Sequence, residues 1–160
     1  MSQTLSLTIQ GSPAWQGSPP QDELHEFTPV EWGRRMFCYE QNRTVQAELC
    51  GARFTFAFDP DLSSLLDYLP EQIQQLAQGE PLWTPFPERG WEIKFYPDDA
   101  ETRCVVREYG YRNSETECTL PTAEVIATLS GFVVELAQRM VAGGYLTQAQ
   151  ADEYLAPLRP

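Results

Sequence analysis

Two periods organise the chain. Residues 5–9 alternate, with Leu5, Leu7 and Ile9 set against Ser6 and Thr8, which is the pattern of a strand with one buried face. After Gly11 the alternation stops. Residues 11–33 are rich in Pro, Gly, Ser and acidic side chains and contain no Lys or Arg. This stretch reads as a long Pro/Gly-rich acidic loop, and a loop of that length inside a domain is commonly functional. At its end Thr28-Pro29-Val30-Glu31 predicts a short helical turn, with Thr28 as cap and Pro29 at the first helical position.

Period two then returns. Arg35–Glu40 reads as a strand, Gln41-Asn42-Arg43 as a turn, and Thr44–Cys50 as the returning strand with Val45, Ala47 and Leu49 on one face. Ala52–Phe58 follows with Phe54, Phe56 and Phe58 on one face, so the block predicts an antiparallel meander. The period changes again at Asp59-Pro60-Asp61. Leu62, Leu65, Leu66, Leu69, Ile73 and Leu76 recur at helical spacing, with Pro70 inside the run. A proline there lacks the backbone donor and clashes with the preceding turn, so the helix is expected to break, with Pro70 opening a second piece. Asp61 reads as the N-cap before Leu62.

Residues 80–90 form a second loop of prolines and aromatics. Trp91–Tyr96, Thr102–Tyr111 and Glu115–Leu120 read as three further strands, joined by turns at Pro97-Asp98-Asp99-Ala100 and Arg112-Asn113-Ser114. Thr122 is the expected cap of a long helix whose stripe is Val125, Leu129, Phe132, Leu136 and Met140, widened by Ile126 and Val133. Thr147 and Gln150 have the spacing of a capping box and open a short terminal helix to about Leu155. Runs of strands followed by helices imply an α+β fold. The expectation is one domain over residues 1–160, with a mostly antiparallel sheet of six to seven strands. A broken middle helix and C-terminal helices would cover one face of the sheet.

Charge narrows the function. The chain of 160 residues has 11 Lys plus Arg against 23 Asp plus Glu, a net charge of −12. That excludes a module that neutralises nucleic-acid phosphates and a polybasic membrane binder. The longest unbroken apolar runs are a few residues, such as Phe132-Val133-Val134, so no membrane-crossing segment is expected. The N-terminus lacks the pattern of a secretory signal. Cys38, Cys50, Cys104 and Cys118 are far apart and form no C-x-x-C pair, so they are expected reduced, as small buried hydrophobes, in a cytoplasmic protein.

Enzyme chemistry finds little support. His25 is the one histidine, and neither a nucleophile elbow nor a Cys–His context accompanies it. No phosphate loop and no metal-ligand spacing is present, so no catalytic residue, cofactor or metal is assigned. Asp98, Asp99 and Glu101 read as a solvated turn.

The aromatic residues are more telling. Trp15, Trp32, Trp83 and Phe86 lie in or beside the two proline-rich loops, and Asp22, Glu23 and Glu26 share the first of them. Tryptophan is favoured at the energetic centres of interfaces. Tyr109 and Tyr111 share a strand face with Arg103, Val105 and Arg107, a mixed face suited to contact. These patterns predict a non-enzymatic binding protein that engages a basic partner protein through Trp15, Asp22, Glu23, Glu26, Trp32, Trp83, Phe86, Tyr109 and Tyr111. In size, acidity and α+β plan the chain resembles small bacterial immunity proteins, which neutralise a cognate toxin. It also resembles acidic secretion chaperones, which combine a meander, a helix, further strands and a final helix as dimers. It departs from the latter by opening with a strand and a Pro-rich loop. An adaptor homodimer is therefore the alternative, and an enzyme using carboxylates or a cysteine the third reading.

Overall fold

The alternation of Val45, Ala47 and Leu49 becomes β2 (Thr44–Leu49), in which these three side chains are fully buried. Their partners across the ladder are Phe56, Phe54 and Ala52 of β3 (Ala52–Ala57), so one face of this hairpin is continuously apolar. Cys50 and Gly51 make the connection, both with positive φ (56° and 76°), the geometry of a tight hairpin turn matched to strand twist. The half-buried β1 (Ser6–Gln10) lies antiparallel along the other edge of β2. A second sheet contains β4 (Leu82–Phe86), β5 (Trp91–Asp98), β6 (Glu101–Glu108) and β7 (Ser114–Pro121) in sequence order. Its inner face carries Leu82, Phe86, Ile93, Phe95, Cys104, Val106, Cys118 and Leu120, all buried. The computed structural model describes residues 3–13 and 26–160.

These seven antiparallel strands with five helices form the expected α+β domain, divided between a three-stranded and a four-stranded sheet. The sheets meet through aromatic contacts. Phe54 stacks on Trp91 with centroids 5.1 Å apart, and Phe56 lies 4.8 Å from Phe86. The long helix α4 (Thr122–Ala142) contacts β1 in the first sheet and β6 and β7 in the second. Its buried stripe is the expected one, from Val125 to Met140. By length and composition α4 could cross a membrane, contrary to the expectation drawn from short apolar runs. Its apolar side chains are instead spent on the core. Helix α3 (Leu69–Ala77) and helix α5 (Gln148–Leu155) pack beside it. The Thr147 and Gln150 capping box is formed.

Several local expectations are overturned. Arg35–Glu40 is not a strand but the second half of helix α1 (Pro29–Glu40). The capping box of Thr28 and Glu31 nucleates this helix, and Gly33, Arg34, Phe37 and Cys38 form its buried face. The acidic loop therefore ends before Pro29, and residues 14–25 of it lie outside the described residues. Half of the 80–90 loop is β4. Pro85 is tolerated there because β4 is an edge strand, where a missing backbone donor leaves no ladder bond unmade. Thr122 does not cap α4 with its side chain; its hydroxyl pairs with that of Thr102 at 2.8 Å. Pro70 does open α3, after a wide turn at Phe58–Leu62 and one helical turn, α2 (Ser63–Leu65).

The cysteine expectation is corrected as well. Cys50 and Cys118, 68 residues apart, form a disulfide, because sheet packing brings the β2–β3 turn against β7 with a Cα separation of 5.2 Å. A disulfide persists in oxidising surroundings, so the cysteine argument for a cytoplasmic location falls. Cys38 and Cys104 are free and buried, as expected of small hydrophobes.

Candidate partner-binding surface

The four-stranded sheet turns its second face outward. Glu92, Lys94 and Tyr96 of β5 alternate with the core residues Ile93 and Phe95 and stand beside Arg107, Val105 and Arg103 of β6. Beyond them stand Glu115, Glu117 and Thr119 of β7, and on the other edge Trp83 and Pro85 of β4. Charges on this face are paired across strands. Arg107 meets Glu115 at 2.7 Å, Arg103 meets Glu117 at 3.1 Å, and Lys94 meets Glu92 at 2.8 Å along β5. The Arg103 guanidinium lies 4.5 Å over the Tyr96 ring. The two exposed arginine pairs fix side-chain positions more than they stabilise the fold, whereas Glu92 is buried beneath Lys94. Val105 is buried beneath these longer side chains.

Tyr109 lies one residue past β6, and its hydroxyl donates back to the Glu92 carboxylate. The hydrogen bond from Lys94 and then that from Tyr109 hold the Glu92 carboxyl below its ordinary value of 4.5. A carboxylate depressed in the folded state adds stability above its unfolded pKa and loses it as pH falls through the folded value. Glu92→Gln is therefore expected to cost on the order of 1 kcal/mol at pH 7. The gap to the unsubstituted protein should close as pH drops below 4.5. Urea denaturation of both proteins across that range reads the difference, and a gap that stayed constant would deny the ionised Glu92 its role.

At the β4 edge the outer face runs into a cleft of about 400 Å³, lined by Pro60, Asp61, Tyr68, Trp83, Pro85 and Glu88 among others. Trp83 is 53% exposed and Tyr68 68% exposed. Asp61 is not an N-cap. One of its oxygens, Oδ2, accepts from the Ala57 backbone N–H at 2.7 Å and from Arg89 Nε at 2.9 Å. The other, Oδ1, is buried with no hydrogen-bond partner, and the side chain is 1% exposed.

The residues singled out from sequence separate into four groups. Trp83, Tyr109 and Tyr111 are exposed on or at the end of the four-stranded sheet. Phe86 is 4% exposed, packed on Phe54 and Phe56, which removes it from any contact surface. Trp32 is half-buried on α1, stacked on Phe27 at 6.3 Å, and Glu26 is exposed nearby. Trp15, Asp22 and Glu23 lie outside the described residues, as does His25, to which no role was assigned. Tyr68 and Asp61 were not singled out as site residues from sequence. Tyr68 sits off the leucine stripe of its helical run, and that displacement was the available signal.

A second polar cluster holds the helices together. Arg34 and Arg35 share Asp67 at 3.0 and 3.4 Å, and Arg34 lies over the Tyr154 ring of α5 at 4.5 Å. The Tyr154 hydroxyl donates to the Leu66 carbonyl at 2.6 Å, so the cluster latches α1, the turn between α2 and α3, and α5. Burial pushes the Cys38 thiol far up, and raises Cys104 to about 12. Both therefore stay protonated and inaccessible, which weighs against cysteine chemistry. Among the described residues no group of three His, Cys, Asp or Glu is placed to hold a metal ion. No protein-family model, no curated protein and no solved structure matches the chain.

Proposed function

We propose that this is a binding protein that engages a basic partner protein through the outer face of its four-stranded sheet and the adjoining cleft. One observation carries the reading. The four large aromatics that stand exposed among the described residues are Trp83, Tyr109 and Tyr111, on or at the end of this sheet, and Tyr68, which lines the adjoining cleft. Exposed aromatics are costly to leave in water and are favoured as interface anchors. Glu88 stands at the cleft, and Glu115 and Glu117 lie on the same outer face, where Arg107 and Arg103 pair with them. The net charge of −12 supplies a long-range field of matching sign for a basic surface.

Random peptides displayed against the immobilised protein test this directly. Selected sequences are expected to be enriched in Arg and Lys, and to bind about tenfold more weakly to Trp83→Ala and Tyr109→Ala variants. Their affinity should also fall as salt is raised. Enrichment of neutral or acidic sequences, or binding indifferent to both substitutions, would overturn the proposal.

A further inference from the structure

The cleft beside β4 has a chemistry more specific than the face it adjoins. Its walls are two exposed aromatic side chains, Trp83 from the edge strand and Tyr68 from the turn before α3. Pro60, Pro85 and Pro87 shape it without offering backbone donors. Asp61 and Glu88 belong to its lining. The volume of about 400 Å³ is in the range of sites that enclose a small group.

Asp61 is the decisive residue. A buried carboxylate normally has both oxygens satisfied, and one left without a partner costs free energy that a ligand can recover. Here Oδ2 carries both bonds, from Ala57 and Arg89, and Oδ1 carries none. Arg89 reaches the carboxylate through Nε and is itself 44% exposed, so it is held at one point and open to solvent along much of its length. It shows that a guanidinium fits against Asp61.

We infer that the cleft is a pocket for an arginine side chain of the partner, the incoming guanidinium lying against Trp83 and Tyr68 and taking the free oxygen of Asp61. This rests on the proposed partner-binding reading and assigns the chemical group recognised. Planar, weakly hydrated guanidinium stacks on aromatic rings and presents a rigid fork of donors, whereas an ammonium is a compact and strongly hydrated point charge. An aromatic wall joined to a carboxylate floor therefore selects arginine over lysine. Glu88, also in the lining and exposed, adds a second negative charge. Arg89 keeps Oδ2, so Asp61 holds an internal cation on one oxygen and the incoming one on the other.

The probe is the blocked tripeptide acetyl-Gly-Arg-Gly-amide, followed by two-dimensional NMR, with the citrulline and lysine tripeptides as comparisons. Citrulline keeps the shape and removes the charge. The arginine peptide is expected to shift the Trp83 indole N–H and the amides around Asp61 and Tyr68 saturably. Affinity should be about tenfold lower for citrulline, and lower by a similar factor in Asp61→Asn and Trp83→Ala. Should Asp61→Asn fail to fold, Trp83→Ala and Glu88→Gln, both surface changes, carry the comparison through the remaining amides. Equal binding of the citrulline or lysine peptide, or shifts unaffected by these substitutions, would overturn the pocket. If selected basic peptides instead bind at the Arg107–Tyr109 end of the sheet, the pocket fails while the partner-binding reading stands.

Discussion

The double variant Cys50→Ala/Cys118→Ala is expected to be about 4 kcal/mol less stable than the disulfide-bonded protein. The magnitude follows from the 68 residues between the two cysteines, because a cross-link over a loop of that length removes much of the freedom of the unfolded chain. The native state gives the bond further weight. Among the described residues no backbone ladder joins the three-stranded sheet to the four-stranded one. Their union depends on side-chain packing, on α4, and on this one covalent link. The double variant is the right comparison because Cys104 stands directly opposite Cys118 in the β6–β7 register. Removing Cys50 alone would leave two thiols facing each other and invite a substitute bond. Urea unfolding monitored by tryptophan fluorescence reads the loss. A difference under about 1 kcal/mol would mean that packing alone fixes the sheets.

Gly33→Ala and Gly131→Ala are expected to act in opposite directions, although both replace a glycine inside a helix. The ordinary expectation is a gain of about 0.5–1 kcal/mol, since alanine restricts the unfolded chain and favours the helix. Gly131 lies on the exposed side of α4, and a Cβ there would meet nothing within 4 Å, so the gain should appear in full. At Gly33 a Cβ would lie 2.3 Å from the Tyr145 carbonyl oxygen and 2.7 Å from Leu146. The first of these is backbone and cannot rotate away. It is also held in place, because the Tyr145 hydroxyl bonds Glu40 at 2.7 Å and its ring packs edge-on against Phe37 at 5.5 Å. Overpacking of this kind costs about 1–3 kcal/mol beyond the helix gain, so Gly33→Ala should lower the melting temperature. Calorimetry of the pair checks both signs at once, and a stabilised Gly33→Ala would contradict the close approach of α1 to the 143–146 segment.

Gly33 also explains why α1 was hidden in the sequence. It looks like the end of a loop, and the residues after it, Arg35-Met36-Phe37-Cys38-Tyr39, favour strand by type. The helix signal lies upstream, in Thr28, Pro29 and Glu31, and the glycine is there to admit another segment, not to stop a helix. Where one face meets one core, periodicity sufficed: Val45, Ala47 and Leu49, and the α4 stripe, are buried as their spacing implies. Long-range relations had no such signal. Nothing in the spacing of Cys50 and Cys118 states that a hairpin turn and a last strand will touch. The surface was legible in part. Trp83, Tyr109 and Tyr111 were identifiable as aromatic residues without a core role, whereas Phe86 was misplaced because Leu82, Thr84 and Phe86 were read as loop and not as alternation. Asp61 resembled a cap because its position before a leucine run is that of one. Its true partners, Ala57 and Arg89, come from the end of β3 and from the turn after β4.

The place of α4 in the chain has a consequence for how the protein is made. This helix begins at Thr122, after all seven strands of the described residues have been synthesised, and it touches both sheets and α1, α3 and α5. Until it emerges from the ribosome, the apolar surfaces of both sheets and of α3 lack the helix that packs against them. The nascent chain therefore passes through a stage in which these seven strands are present and its core is unfinished, the stage most open to aggregation and most dependent on holding factors.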